Sequence, residues 1–208
     1  MLLLELAVMK KELQMKITMI RTLAVLMCGL TFAGCSSAIP TDTPGIDQLG
    51  QYIVRQEGPE LDTVLGTKFA ALNPGEEWLF LEVAFSSPTR AQAKIERSKV
   101  FVRTPAGVRI PLATQTEFGA DFAGMQATIR KADIARDPMD YFPPNRRPCT
   151  VQFFTTPGKS VVYDELSLND RRACTGRLYF KIPGGTQTGR WVFGIDLVES
   201  TVRIPFTL

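Results

Sequence analysis

The chain has 208 residues, with 24 Lys and Arg against 21 Asp and Glu, a net charge of +3, four cysteines and no histidine. A charge so near balance gives no footing for nucleic acid or another polyanion through overall attraction. The missing histidine removes the commonest general base, the Ser-His-Asp and Cys-His arrangements and most zinc sites.

In chain order, the first feature is an apolar stretch over residues 23–30, preceded by Lys16 and Arg21 and followed by Thr31-Phe32-Ala33-Gly34-Cys35-Ser36-Ser37. Cations, a short apolar run and a small-residue cleavage site are the layout of a secretory signal. A membrane span needs about 20 apolar residues, which this run does not supply. The motif ending at Cys35 resembles the lipobox of bacterial lipoproteins, with Phe32 where an aliphatic residue is usual. The resemblance implies that residues 1–34 are a lipoprotein signal peptide and that Cys35 is lipidated, anchoring the chain to the membrane of the cell envelope. Ser36 is not the Asp that resembles an inner-membrane retention signal, so in a host with two membranes the outer one is expected. Glu5 and Glu12 stand where such signals favour cations, and Met15-Lys16 opens an ordinary leader, so Met15 is the expected start. Cleavage removes Lys10, Lys11, Lys16 and Arg21 against Glu5 and Glu12, which takes the net charge from +3 to about +1.

Residues 35–49 read as the lipidated cysteine and a flexible linker, rich in Ser, Thr, Pro and Gly and able to reach up to about 40 Å. Residues 50–208 read as one domain of short apolar segments separated by turns, as in a β-sandwich or barrel. Residues 78–85 are apolar on both faces and belong in the middle of a sheet. Residues 100–102 and 108–110 flank Thr104-Pro105-Ala106-Gly107 as a hairpin. Further strands are expected at 151–154, 178–182, 191–197 and 202–208, the last two joined at Glu199-Ser200. Pro205 removes a ladder donor and points to an edge or bulge. Residues 90–97 fit either a helical turn or a short edge strand. Phe122, Met125, Ile129 and Ala132 allow a helix over about 123–135, as an insertion in an all-β domain.

Residues 79–83, 176–183 and 202–206 look like the immunoglobulin-like domains of poorly characterised bacterial surface lipoproteins. That resemblance implies an antiparallel immunoglobulin-like sandwich presenting loops, and it implies no chemistry.

Candidate chemistry is sparse. Thr155-Thr156-Pro157-Gly158-Lys159-Ser160 ends like a phosphate-binding loop, but Phe153 stands where its first glycine belongs, so it reads as a turn. Asp133, Asp137 and Asp140 lie among Lys131 and Arg136 and read as a charge-balanced surface. No cofactor or metal is expected. Cys149 and Cys174, left in the mature chain in an oxidising compartment, read as a disulfide. The prolines of 137–145 exclude a regular helix around Tyr141 and Phe142, which either present an aromatic contact surface or fold back on the core. Arg146-Arg147-Pro148-Cys149 and Arg171-Arg172-Ala173-Cys174 place an arginine pair at the same offset from each cysteine. A disulfide gathers those four guanidinium groups, for an anionic partner or for neutralisation by Asp164, Glu165 and Asp170. The expectation is a non-catalytic binding or accessory module for another envelope protein or an anionic envelope component. A carboxylate-based envelope hydrolase is the other reading, favoured by a cleft with two carboxylates about 5–10 Å apart.

Overall fold

Nine consecutive buried residues, Trp78–Ser86, form the strand around which the domain is layered. The computed structural model describes residues 45–208. The chain opens with β1 (Ile46–Gly50), β2 (Ile53–Gln56), β3 (Asp62–Gly66), the short helix α1 (Lys68–Leu72) and β4 (Trp78–Ser86). Next come β5 (Ala93–Glu96), a 3-10 turn (Arg97–Lys99), β6 (Val100–Arg103), β7 (Arg109–Pro111) and helix α2 (Gln115–Ile134). The last strands are β8 (Arg147–Thr150), β9 (Glu165–Leu168), β10 (Arg172–Lys181), β11 (Arg190–Asp196) and β12 (Thr201–Thr207).

The strands form a six-stranded sheet in the order β1-β2-β3-β4-β10-β8, a four-stranded sheet β12-β11-β6-β7 and a small β5-β9 pair. All pairings are antiparallel except β8 with β10. The two larger sheets enclose the main core. Leu79, Leu81, Val83 and Phe85 of β4 meet Trp191, Phe193 and Ile195 of β11 and Val202, Ile204 and Phe206 of β12 there. This is a mostly β, sandwich-like arrangement.

The outer face of the six-stranded sheet is also covered. Trp78, Phe80 and Tyr179 pack under α2 through Phe118, Met125 and Ala132. Farther along, Ala84, Val64 and Ile53 lie under Met139 and Phe142. The helix is therefore a third layer rather than a short insertion, which is why β4 is apolar on both sides. Its start lies eight residues before the expected one, because Thr114 and Glu117 form a reciprocal capping box.

Two further expectations change, and the open reading of 90–97 resolves to its edge-strand alternative. Residues 151–154 are not a strand: β8 ends at Thr150, and Phe153 gives its carbonyl to the buried Arg97 guanidinium instead of to a ladder. The ambiguous 90–97 segment contains strand β5, paired with β9. Strand β1 starts at Ile46, inside the stretch read as linker. The 100–110 hairpin forms, and β12 with Pro205 is an edge strand as expected. Proline also blunts two other edges, with Pro111 on β7 and Pro148 on β8.

Candidate functional site

Cys149 and Cys174 stand directly opposite each other on the parallel strands β8 and β10 and form a disulfide, with their Cα atoms 4.3 Å apart. Cys35 lies outside the described residues. The register also sets Arg147 opposite Arg172. Side chains alternate along a strand, so Arg147, Arg172 and the disulfide share one face of this edge. Pro148, Ala173 and Thr175 occupy the other face, where a groove of about 830 Å³ also takes in Arg146. The four arginines therefore straddle the sheet edge. They do not converge on one point, because the matched offset to cysteine fixes position along the strands, not the face of a residue outside them.

The neutralisation considered from sequence does not occur. Asp164 pairs with Arg97, Glu165 with Lys94 and Asp170 with Arg90. Among the described residues, none of Arg146, Arg147, Arg171 and Arg172 has a carboxylate within 4.0 Å. Arg147, Arg171 and Arg172 are exposed. Arg146 is half-buried, donates to the Ser86 hydroxyl and to the Ser87 carbonyl at 3.3 Å, and lies 5.6 Å from the Phe142 ring centre. Burial pushes the nearby Asp62 carboxyl above its usual range, against the lowering influence of Arg55 and, at longer range, Arg146.

The proline-rich segment 137–148 forms one wall of the groove. Its aromatics fold inward: Phe142 is buried on Ile53, Val64 and Ala84, and Tyr141 is half-buried against the same cluster. Of the two readings of this pair, folding back on the core is the one Phe142 adopts. Its ring caps the outer face of the sheet and offers only what borders the groove.

At the far end of the groove, a charge chain joins α2 to the sheet. Arg177 and Glu82, opposite each other on β10 and β4, are both buried, with Nε donating to Oε1 at 2.6 Å. Arg177 also donates to Asp133 at 3.0 Å, while Arg136 reaches the other Glu82 oxygen at 3.5 Å. Burial alone would lower the Arg177 pKa, but Glu82 and the other partners outweigh it and raise it. Asp137 is only 6% exposed, not the solvated residue expected, and its carboxylate accepts the Lys68 amide of α1 at 3.2 Å. Burial raises its pKa, which the Lys68 amide only partly offsets.

Glu82 and Asp137 both border the groove and both crowd Gly66, where an added Cβ would lie 2.9 Å from Asp137 Oδ2 and 3.2 Å from Glu82 Cβ. As an acid–base pair they are badly employed. Each Glu82 oxygen faces an arginine, and Asp137 secures α1 to the segment that follows α2. The 155–160 stretch is a turn, with Gly158 at φ +78° and Lys159 N–H donating to the Thr156 carbonyl. Among the described residues, no group of three or more potential metal ligands is assembled, and no helix is long and apolar enough to cross a membrane.

Comparison with known proteins returned no matching family, no similar curated protein and no similar solved structure.

Proposed function

We propose that this protein is an envelope lipoprotein, acylated at Cys35, whose immunoglobulin-like sandwich is a non-catalytic binding module for an anionic envelope component. In a host with two membranes its address is the outer one. The observation that carries this reading is the set of arginines at the β8–β10 edge, left without carboxylate partners while the neighbouring acids serve other cations. Like charges directly opposite on paired strands are destabilising, and an anionic ligand relieves that cost at Arg147 and Arg172. On the other face of the same edge, the groove beside Arg146, stiffened by the prolines of 137–148, adds a second bounded surface. The hydrolase reading has the two groove carboxylates in its favour, but their ion-pairing and capping contacts account for both.

The test is co-sedimentation of residues 36–208 with cell-wall sacculi at low and high salt. Pelleting at low salt is expected, lost at high salt and lost when Arg146, Arg147, Arg171 and Arg172 are changed to serine. No low-salt binding, or binding unaffected by the four substitutions, overturns the reading. The anchor is checked separately by Cys35→Ser, which should abolish acyl labelling and release the chain from the membrane fraction.

A further inference from the structure

The outer face of the four-stranded sheet carries a second group of cations. Val100 and Val102 of β6, and Trp191, Phe193 and Ile195 of β11, point into the core. The residues alternating with them point outward, and these include Phe101, Arg103, Arg190 and Asp196, with Arg109 of β7 and Arg203 of β12 beside them. Phe101 is fully buried although it lies on the outward side. Its ring crosses the strand opposite at Gly194, where any Cβ would overlap it. The guanidinium carbons of Arg109, Arg203 and Arg103 stand 3.5, 4.9 and 5.7 Å from the ring centre.

One carboxylate serves this group. Asp196 pairs with Arg109 at 2.8 Å and with Arg203. Burial works against its ionisation, but the hydrogen bonds from Arg203 and Arg109 outweigh that and hold its pKa below the usual range. Arg103 and Arg190 are exposed and, among the described residues, have no carboxylate within 4.0 Å. The face thus holds four cations and one anion in a domain whose overall charge is close to balance. Stacking on an aromatic ring orients a guanidinium and leaves its N–H edge free, and that planar fork matches phosphate oxygens.

We propose that this face docks on the phosphate headgroups of an anionic membrane surface. It is a sheet face spread over four strands, about 15 Å across at ordinary strand spacing, which suits an extended surface better than one small anion. Gly45 lies near the β12 edge of this sheet. The Gly45 carbonyl accepts the Glu57 amide, and the adjoining Gln56 side chain accepts the Arg203 amide of β12. On the lipid-anchor reading, the stretch from Cys35 to Gly45 spans at most about 35 Å, so the strand edge beside Gly45 lies within that reach of the bilayer. Membrane attachment through an acyl chain is commonly completed by a basic patch.

The test uses residues 36–208, which contain the sandwich core and the disulfide, with vesicles of phosphatidylglycerol in phosphatidylcholine and of phosphatidylcholine alone. Salt-sensitive binding to the anionic vesicles only is expected. Arg103→Ser with Arg190→Ser leaves the Phe101–Arg109–Asp196–Arg203 stack in place and should lower vesicle binding about 30-fold, with thermal unfolding unchanged. Serine at Arg146, Arg147, Arg171 and Arg172 should leave vesicle binding in place. No binding to anionic vesicles, equal binding to neutral ones, or binding indifferent to the Arg103/Arg190 pair overturns the proposal. Loss confined to the edge arginines overturns it too, while leaving the edge reading standing.

Discussion

Removing the disulfide is the most direct perturbation of the β8–β10 edge. The bond closes a loop with a sequence separation of 25, and the chain-entropy relation gives roughly 3.5 kcal/mol for a loop of that size. Cys149→Ser is the cleaner change, because Cys174 is 1% exposed in the main core and a serine there would bury a hydroxyl. Without the bond, β8 is held by a few ladder bonds, among them Arg147 N–H to Arg171 O at 2.7 Å and Val151 N–H to Thr175 O at 2.9 Å. If the strand loosens, it also relieves the Arg147–Arg172 repulsion, about 0.2–1 kcal/mol for a like-charged cross-strand pair. The net loss is then about 3 kcal/mol. For a domain of this size that lowers the melting temperature by roughly 10 °C. The assay is thermal unfolding of unreduced residues 36–208, parent and variant, with mass spectrometry establishing the Cys149–Cys174 linkage in the parent. A fall below about 3 °C with the linkage present refutes the reasoning. So do two thiols that alkylate without reduction.

Other perturbations separate buried struts from exposed pairs. Arg97 donates to the Ala113 carbonyl at 2.7 Å and to the Phe153 carbonyl, so Arg97→Met orphans two acceptors and should cost about 2–4 kcal/mol in chemical denaturation. Asp164→Ala, which removes only its exposed partner's carboxylate, should cost under about 1 kcal/mol. The raised pKa of Asp137 means that its ionised form subtracts stability at neutral pH, a penalty that fades as the pH falls through the raised value towards the ordinary carboxylate range. Asp137→Asn keeps an acceptor for the Lys68 amide and should therefore be at least as stable as the parent at neutral pH, with the difference closing in acid. Asp137→Ala loses the acceptor and should be about 1 kcal/mol less stable. Gly194→Ala forces the Phe101 ring aside and should cost about 1–3 kcal/mol, read from the thermal midpoint.

The sequence was most legible where one strand carries its own pattern. Residues 78–85 are apolar on both sides because a sheet and a helical layer cover them, and burial on both faces can be read from a single segment. Trp191, Phe193 and Ile195 alternate because only one of their faces is enclosed. Residues 46–66 were opaque, since β1 is mostly exposed and β2 carries Arg55 and Gln56 beside Ile53 and Val54. The start of α2 was available in Thr114 and Glu117, a spacing that marks a helix entrance before any apolar period appears. The outer-face arginines were beyond reach for another reason. Residues 103, 109, 190 and 203 become neighbours only through sheet register, and Gly194 signals a close approach without naming the ring that makes it.

Sequence proximity also misassigned the acids, and the cause bears on function. Asp164, Glu165 and Asp170 are close in number to Arg171 and Arg172, but β9 crosses to pair with β5, and the turn after it returns towards residues 89–90. Those carboxylates therefore meet Arg97, Lys94 and Arg90. Glu82 and Asp133 are taken by the buried Arg177, and Asp121 joins Lys181 and the Trp78 indole in fixing α2 to the sheet. Asp121 and Asp133 tie α2 to the six-stranded sheet, and most other carboxylates pair with cations within their own sheet or strand pair. That leaves some arginines over where a sheet face or edge has no further layer to hold. The β8–β10 edge and the outer face of the four-stranded sheet are two such places. Their arginines need no partner for the fold to close, so replacing Arg103, Arg190, Arg147 and Arg172 together should leave unfolding nearly unchanged while weakening association with anionic surfaces. A large loss of stability would instead show that these charges hold the layers together, and that neither surface is free to bind.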